Sequence, residues 1–246
     1  MALKTNALRL ATATANCDCC FMESHCWPGI EAHSGEVHVK REPTLMPENV
    51  LWREGALFNG LYFVRSGTIK VYEIDLSGEE RILQFAFAGD LLGLEALAAG
   101  RHENSAVALI ETMLCKLPWP PPADDHALLE RLLKRASVQL RQRARATRLA
   151  DPDASVRSFL HEIATHIGRE ERVGENVWIR QRLPMSRLEI GQYLGYAEET
   201  VCRSMRRLQS KGELEVSGRT LLLRKLPAGS AATAARSPAR SEPLSA

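Results

Sequence analysis

The sequence predicts an α+β chain built from an antiparallel β-roll, one long helix, and a helix-turn-helix closed by a two-stranded wing. Three observations predict it. Between residues 35 and 118, short apolar alternations are broken repeatedly by glycine, as in LYFVRSGTIKVYEIDLSGEERILQFAFAGDLLGL. Residues 126–150 contain neither Gly nor Pro and carry one narrow apolar seam. Residues 185–225 run through a capping box, a glycine turn, a second amphipathic helix and two short strands.

A chain of 246 residues suits one or two domains with a real core. The composition, 45% hydrophobic and 25% charged, is ordinary for a globular protein. Net charge is +2, but its distribution is uneven. Residues 155–225 carry 13 Lys and Arg against 9 Asp and Glu, which points a slightly basic back end toward nucleic acid. No apolar run approaches the length of about 18 residues that a membrane span needs. The leader MALKTNALRLATATAN lacks a long apolar core and makes a poor secretory signal. The expected compartment is therefore the reducing cytoplasm, where clustered cysteines are more often metal or redox sites than structural disulfides.

The first segment, 1–34, reads as an irregular arm bearing CDCCFMESHC. The roll is expected over 35–123, where turns at SG, SG and AGD separate strands short enough for a compact antiparallel barrel. In it, SAVALIETMLC reads as one strand with Val107, Leu109, Met113 and Cys115 on one side. Pro120, Pro121 and Pro122 then stop regular structure. The helix is expected over 124–151, with Leu129, Leu133, Ala136, Leu140 and Ala144 as its seam. Six basic and no acidic residues follow from Lys134 to Ala150. So narrow a seam suits pairing with a second copy of the chain; the alternative is a solvated helix lying on the roll. Asp151 and Pro152 break that helix and start the next, which puts Val156, Phe159, Leu160 and Ile163 on one face. His161 and His166 share this helix at a spacing poor for joint ligation. A charged loop is expected after Gly168. The reading module spans 152–226, and a low-complexity tail, 227–246, is expected to be disordered.

Within that module Ser186 is positioned to cap the first helix, with Glu189 as its capping-box partner and Leu188, Ile190 and Leu194 as apolar members. Gly195 occupies the turn. The second helix starts near Glu198. Val201, Met205 and Leu208 face inward, while Glu199, Cys202, Arg203 and Arg206 face outward. Arg can donate twice to guanine O6 and N7, and Glu can accept from cytosine N4, so this face suits a major groove. Arg219, at the tip of the LEVSGRTLLL hairpin, suits a phosphate. The other reading of these charges is a solvated helical face.

IGQYLGYAEETVCRSMRRLQSKGEL closely resembles the helix-turn-helix of the cyclic-AMP receptor protein and fumarate–nitrate reduction regulator (CRP/FNR) superfamily. The roll, long helix and winged domain come in that family's order, so the likeness covers about 15–225. The resemblance implies a transcription regulator rather than an enzyme. It would be a homodimer that binds palindromic double-stranded promoter DNA and contacts RNA polymerase, with Asp75 to Glu80 one implied polymerase surface. In the FNR branch the recognition helix carries Glu, then Ser-Arg; here these are Glu199, Cys202 and Arg203. By resemblance, Glu199 and Arg203 read the G·C pair of a TTGAT half-site. Cys202 departs from the pattern, because a thiol is a weak donor where the family has a hydroxyl.

The sensor input follows from the cysteines. Cys17, Cys20 and Cys26 have the spacing C-x2-C-x5-C, which suits a corner of an iron–sulfur cluster or of a zinc site. Cys115, read alone, is a buried core thiol. The resemblance makes it the fourth ligand, since ETMLC matches the family's distant cysteine context with one residue fewer. The four together would hold an oxygen-labile [4Fe–4S] cluster, and the protein would answer to oxygen. Cys19 is an extra thiol, expected to be a spectator. His25 stands where the family often has an apolar shield, and Phe21 offers partial cover. Zinc, thiol oxidation or a small-molecule effector remains the alternative switch. Cyclic AMP is not expected. A gapless match puts Leu94 at the ribose-binding glutamate and Asn104 at the phosphate-binding arginine of the cyclic-nucleotide binders, leaving only Ser105 in common.

Overall fold

The structure, a computed structural model, describes residues 40–119, 151–174 and 176–225, with nine helical residues between 130 and 141. The cysteine-bearing arm, the triple proline, Leu129, Ala144 and the tail lie outside the described residues.

Eight strands make the roll: β1 Lys40–Arg41, β2 Val50–Trp52, β3 Gly60–Ser66, β4 Ile69–Ile74, β5 Glu80–Ala86, β6 Leu91–Leu92, β7 Ser105–Ala108 and β8 Met113–Pro118. A single short turn of helix, α1 Ala96–Ala99, interrupts them. The strands form two four-stranded sheets, ordered β1-β8-β3-β6 and β2-β7-β4-β5, with every pairing antiparallel. Alternation sends Trp52, Tyr62, Val64, Ile69, Val71 and Leu114 into one core between them.

The expected single strand SAVALIETMLC is instead two strands in different sheets, with Ile110 and Glu111 at the break. Thr112 causes it. Its Oγ1 accepts from the Thr68 amide at 3.1 Å and donates to the Ile110 carbonyl at 2.8 Å, pinning the chain to the β3–β4 turn. That turn needs Gly67. Its φ is +96°, and a Cβ there would stand 2.3 Å from Thr112 Oγ1.

Of the long helix, Leu132 is 3% exposed and packs on the roll, while Leu133 and Leu140 are 60% and 62% exposed. Three helices follow: α2 Pro152–Ile167, α3 Arg187–Leu194 and α4 Glu198–Ser210. Asp151 caps α2 through the Ala154 amide at 3.0 Å, with Pro152 at the first helical position, where its missing N–H costs nothing. Val156, Phe159, Leu160 and Ile163 are all buried, as the helical period requires.

The charged loop expected after Gly168 is a hairpin, β9 Arg169–Val173 with β10 Asn176–Arg182. It joins β11 Leu214–Ser217 and β12 Thr220–Arg224 in a third antiparallel sheet, ordered β11-β12-β10-β9. Its polar residues are legitimate strand residues because they pair across the ladder, as Glu171 does with Arg180 at 2.6 Å.

Roll and reading module share one core. Strand β5 carries a register shift opposite Val71 and Tyr72, which changes its side-chain parity. Ile82, Phe85 and Phe87 therefore turn away from the roll and pack with Phe159, Ile163, Met185, Ile190 and Met205. Phe85 lies 6.0 Å from Phe159 and 5.4 Å edge-on from Tyr193. Phe87 stacks on His166 at 4.9 Å.

Candidate nucleic-acid interface and the Cys115 wall

The reading face begins with its caps. Ser186 Oγ accepts from the Glu189 amide at 3.1 Å, and Glu189 Oε2 accepts from the Ser186 amide at 2.8 Å, closing the capping box of α3. Gly195 ends α3 in the left-handed region at φ +76°. A Cβ on Gly191 would meet the Tyr196 carbonyl at 2.4 Å, so the turn depends on two glycines for different reasons. Ile190 is buried, but Leu188 is half exposed and belongs to the outer rim of α3, not to its core face.

In α4, Val201, Met205 and Leu208 are buried. Glu199, Arg203 and Arg206 are exposed and Cys202 is half-buried, all on the opposite side. Arg219 is exposed in the β11–β12 turn. This surface offers two guanidinium forks, a carboxylate and a thiol on one helix, with a third cation on the wing.

Side chains that the sequence pattern leaves unmarked hold this helix in place. Asp153 Oδ1 accepts from Arg207 Nη1 at 3.1 Å. The Arg157 guanidinium grips the Glu213 carboxylate with two bonds, at 2.6 and 3.2 Å. The hydroxyls of Ser155 and Tyr196 share a hydrogen bond at 3.1 Å. The first turns of α2 thus hold the start, late turn and end of α4. Each pair is separated by about 40 residues or more, and no local motif announces it.

In the roll, Cys115 is a buried thiol, 4% exposed, on β8 between Phe63 of β3 and Arg41 of β1. It belongs to an apolar cluster with Leu61, Phe63, Leu91, Leu117 and Leu132. The last of these is a residue of the long helix, so Cys115 and the helix rest on one patch of sheet. Cys17, Cys20 and Cys26 lie outside the described residues. Among the described residues no three metal-ligating side chains converge.

Beside this wall a cavity of about 570 Å³ separates the roll from the helix. Leu133, Ala136 and Leu140 form its helical side, and Trp52, Leu91 and Leu94 part of its floor. Its ionisable lining residues among the described ones are Glu73, Glu95 and Glu103. Asn104 Oδ1 accepts from Trp52 Nε1 at 3.2 Å, and Arg101 is turned to the Gly55 carbonyl at 2.8 Å. Glu95 meets the Nδ1 of buried His102 at 3.0 Å, and that ring stacks on Trp52 at 4.1 Å.

Two families match the chain: the cyclic nucleotide-binding domain over residues 43–120 and the Crp-like helix-turn-helix domain over 156–228. The anaerobic regulatory protein of Haemophilus influenzae is 30% identical over 196 residues, covering 76% of this chain and 74% of its own. The fumarate and nitrate reduction regulatory protein of Salmonella typhi is 30% identical over 192 residues, covering 75% of each. Among solved structures, FixK2 from Bradyrhizobium japonicum superposes with a TM-score of 0.62 at 25% identity, over 76% of this chain and 93% of that one.

Proposed function

The chain belongs to the CRP/FNR superfamily of DNA-binding transcription regulators, in its FNR branch, and from that premise we propose an oxygen-responsive homodimer that carries a [4Fe–4S] cluster and reads a TTGAT-like palindrome. It is not an enzyme. Cys17, Cys20, Cys26 and Cys115 are the proposed ligands. When bound, the cluster would supply an oxygen-labile tie between the arm and the roll.

One observation carries the reading: Cys115 and Leu132 share a buried apolar cluster. Whatever grips Cys115 acts on the floor beneath the long helix. A buried thiol suits this use, because low exposure shields a sulfur ligand from water. The helix then presents Leu133 and Leu140, largely exposed in the single chain, to a second copy. Ala136 belongs to the same proposed seam, as do Leu129 and Ala144 outside the described residues. Pairing would place two α4 helices on successive turns of a palindrome, with Glu199, Cys202, Arg203 and Arg206 toward bases and Arg219 toward phosphate. A tie that favours the paired state shifts the monomer–dimer balance by its differential affinity for that state. The proposed contact with RNA polymerase is the β4–β5 turn, where Asp75 organises the loop by accepting from the Ser77 and Glu79 amides and Leu76 stands fully exposed. No described helix is long and apolar enough to cross a membrane, which fits a cytoplasmic regulator.

Iron and acid-labile sulfide measured on anaerobically purified protein, with Cys115→Ala as control, test the reading. The expected result is iron and sulfide in the wild type, lost from the variant, and tighter operator binding before aeration than after. Zinc without sulfide would refute the cluster.

A second reading, a regulator switched by a small molecule rather than a cluster, is favoured by the cavity under Leu133 and Leu140. Cyclic AMP fits it poorly. The phosphate would face three carboxylates, while Asn104 and Arg101 are engaged elsewhere. Calorimetric titration with cyclic AMP should give no heat of binding.

A further inference from the structure

The first helix of the helix-turn-helix, α3, is bolted to the roll by a lysine. Lys70 lies on β4, is 9% exposed, and extends its ammonium to two carboxylates from different parts of the molecule. Glu80, next door on β5, accepts at 2.7 Å. Glu189, on α3, accepts at 3.1 Å. The aliphatic stem is packed, and the ammonium lies 5.0 Å over the ring of Tyr72.

Glu189 divides its two oxygens between two jobs. Oε2 closes the capping box on the Ser186 amide and Oε1 receives Lys70. The carboxylate that starts the helix-turn-helix is therefore also the roll's handle on it. Burial works to raise the Glu189 carboxyl, but the Ser186 amide and the Lys70 ammonium outweigh it and hold it below its ordinary range. The cleft around the pair, about 770 Å³, is otherwise acidic, with Glu79, Glu80 and Glu198 on its walls. Lys70 is the only cation among its described lining residues, so no neighbouring lysine or arginine there can take its place.

The geometry points to Lys70 as a positioning residue for DNA reading: through Glu189 it fixes the angle of the helix-turn-helix on the roll. The contact holds the reader without covering it, since Glu199, Arg203, Arg206 and Arg219 all remain exposed. A reader held at one angle loses less freedom on binding than one that swings, so the lock favours DNA binding. Phe85, wedged between Phe159 and Tyr193, supplies the apolar half of the same joint. Lys70 supplies the directional half, because an ion pair fixes register where an aromatic contact allows sliding.

The inference concerns the reading of DNA and rests on the TTGAT half-site only for its probe. The test uses the full chain, anaerobically prepared, with Lys70→Met, Lys70→Arg, Glu189→Gln and the Met/Gln double variant. Gln at position 189 can still close the capping box, so Glu189→Gln removes the charge pair and spares the helix start. Affinity is measured for a TTGAT palindrome and for a scrambled duplex of equal length. Amide hydrogen exchange is followed across β5 and α3. Lys70→Met and Glu189→Gln should each weaken palindrome binding on the order of three- to tenfold, and the double variant no more than the worse single, because both remove one interaction. Lys70→Arg should restore most of the affinity. Binding to the scrambled duplex should stay within about twofold, as that binding is set by phosphate charge. Exchange in β5 and α3 should quicken in Lys70→Met. Wild-type affinity in Lys70→Met, tighter binding, or additive losses in the double variant would each overturn the role. If the wild type shows no preference for the palindrome, the half-site reading fails. The exchange data then decide the lock alone: unchanged protection in Lys70→Met overturns it and quickened exchange supports it.

Discussion

Arg203 and Glu199 stand one helical turn apart on the exposed face of α4, which makes each separately removable without touching the core. Arg203→Ala should cost about 1–3 kcal/mol of operator affinity and relax the preference at one base pair, checked by binding-site selection. Scrambled-sequence affinity should fall far less. Glu189 offers a second test, by pH. Its carboxyl is depressed in the folded chain, so the stability it gives is present above the ordinary glutamate pKa and is lost as pH falls through the lower folded value. Thermal melts from neutral to acid pH should show wild type and Glu189→Gln converging at the acid end. At this scale the sequence was a good guide to exposed chemistry: caps, charged faces and turn glycines are local rules. It was a poor guide to Asp153–Arg207 and Arg157–Glu213, whose partners are distant in the chain and meet only after folding.

The elements themselves separate two kinds of glycine. Gly195 needs its left-handed φ and has open space around its missing side chain, whereas Gly191 has helical geometry and no space at all. Gly195→Ala should cost about 1–2 kcal/mol from backbone strain alone. Gly191→Ala should cost more, since the contact is with main chain that cannot move aside, and should also shift α4; urea melts and operator affinity measure the two effects. Helices were legible because capping and periodicity agree, as at Asp151-Pro152 and at Ser186. Strands were less so. The segment 169–182 reads as a charged loop because its charges are balanced across a ladder that only the partner strand reveals. The run SAVALIETMLC reads as one strand because Thr112 looks like any β-branched residue until its hydroxyl is found bonded to the Thr68 amide.

For the whole molecule, two electrostatic terms oppose each other. Pairing two copies of the basic helix brings like charges together, and salt relieves that repulsion; DNA binding releases counterions, and salt weakens it. Raising salt should therefore strengthen the proposed dimer in sedimentation while loosening the chain's hold on DNA. Leu133→Glu with Leu140→Glu should abolish the proposed pairing in sedimentation and leave the single chain folded by circular dichroism, because both side chains are already exposed in the single chain. The order of roll, helix and reader was legible at this scale, but the joint between roll and reader was not. Phe85 and Phe87 face the reader, and the register shift that brings Ile82 to their side of β5 shows only once β4 is paired with it.

That shift has a practical corollary for anyone dissecting the protein. Excised on its own, the stretch from Asp151 to Lys225 would lose the ceiling over Phe159 and Tyr193 and expose a greasy, aromatic scar to solvent. Such a fragment should bind hydrophobic dyes, clump at modest concentration and melt earlier than the same residues within the intact chain.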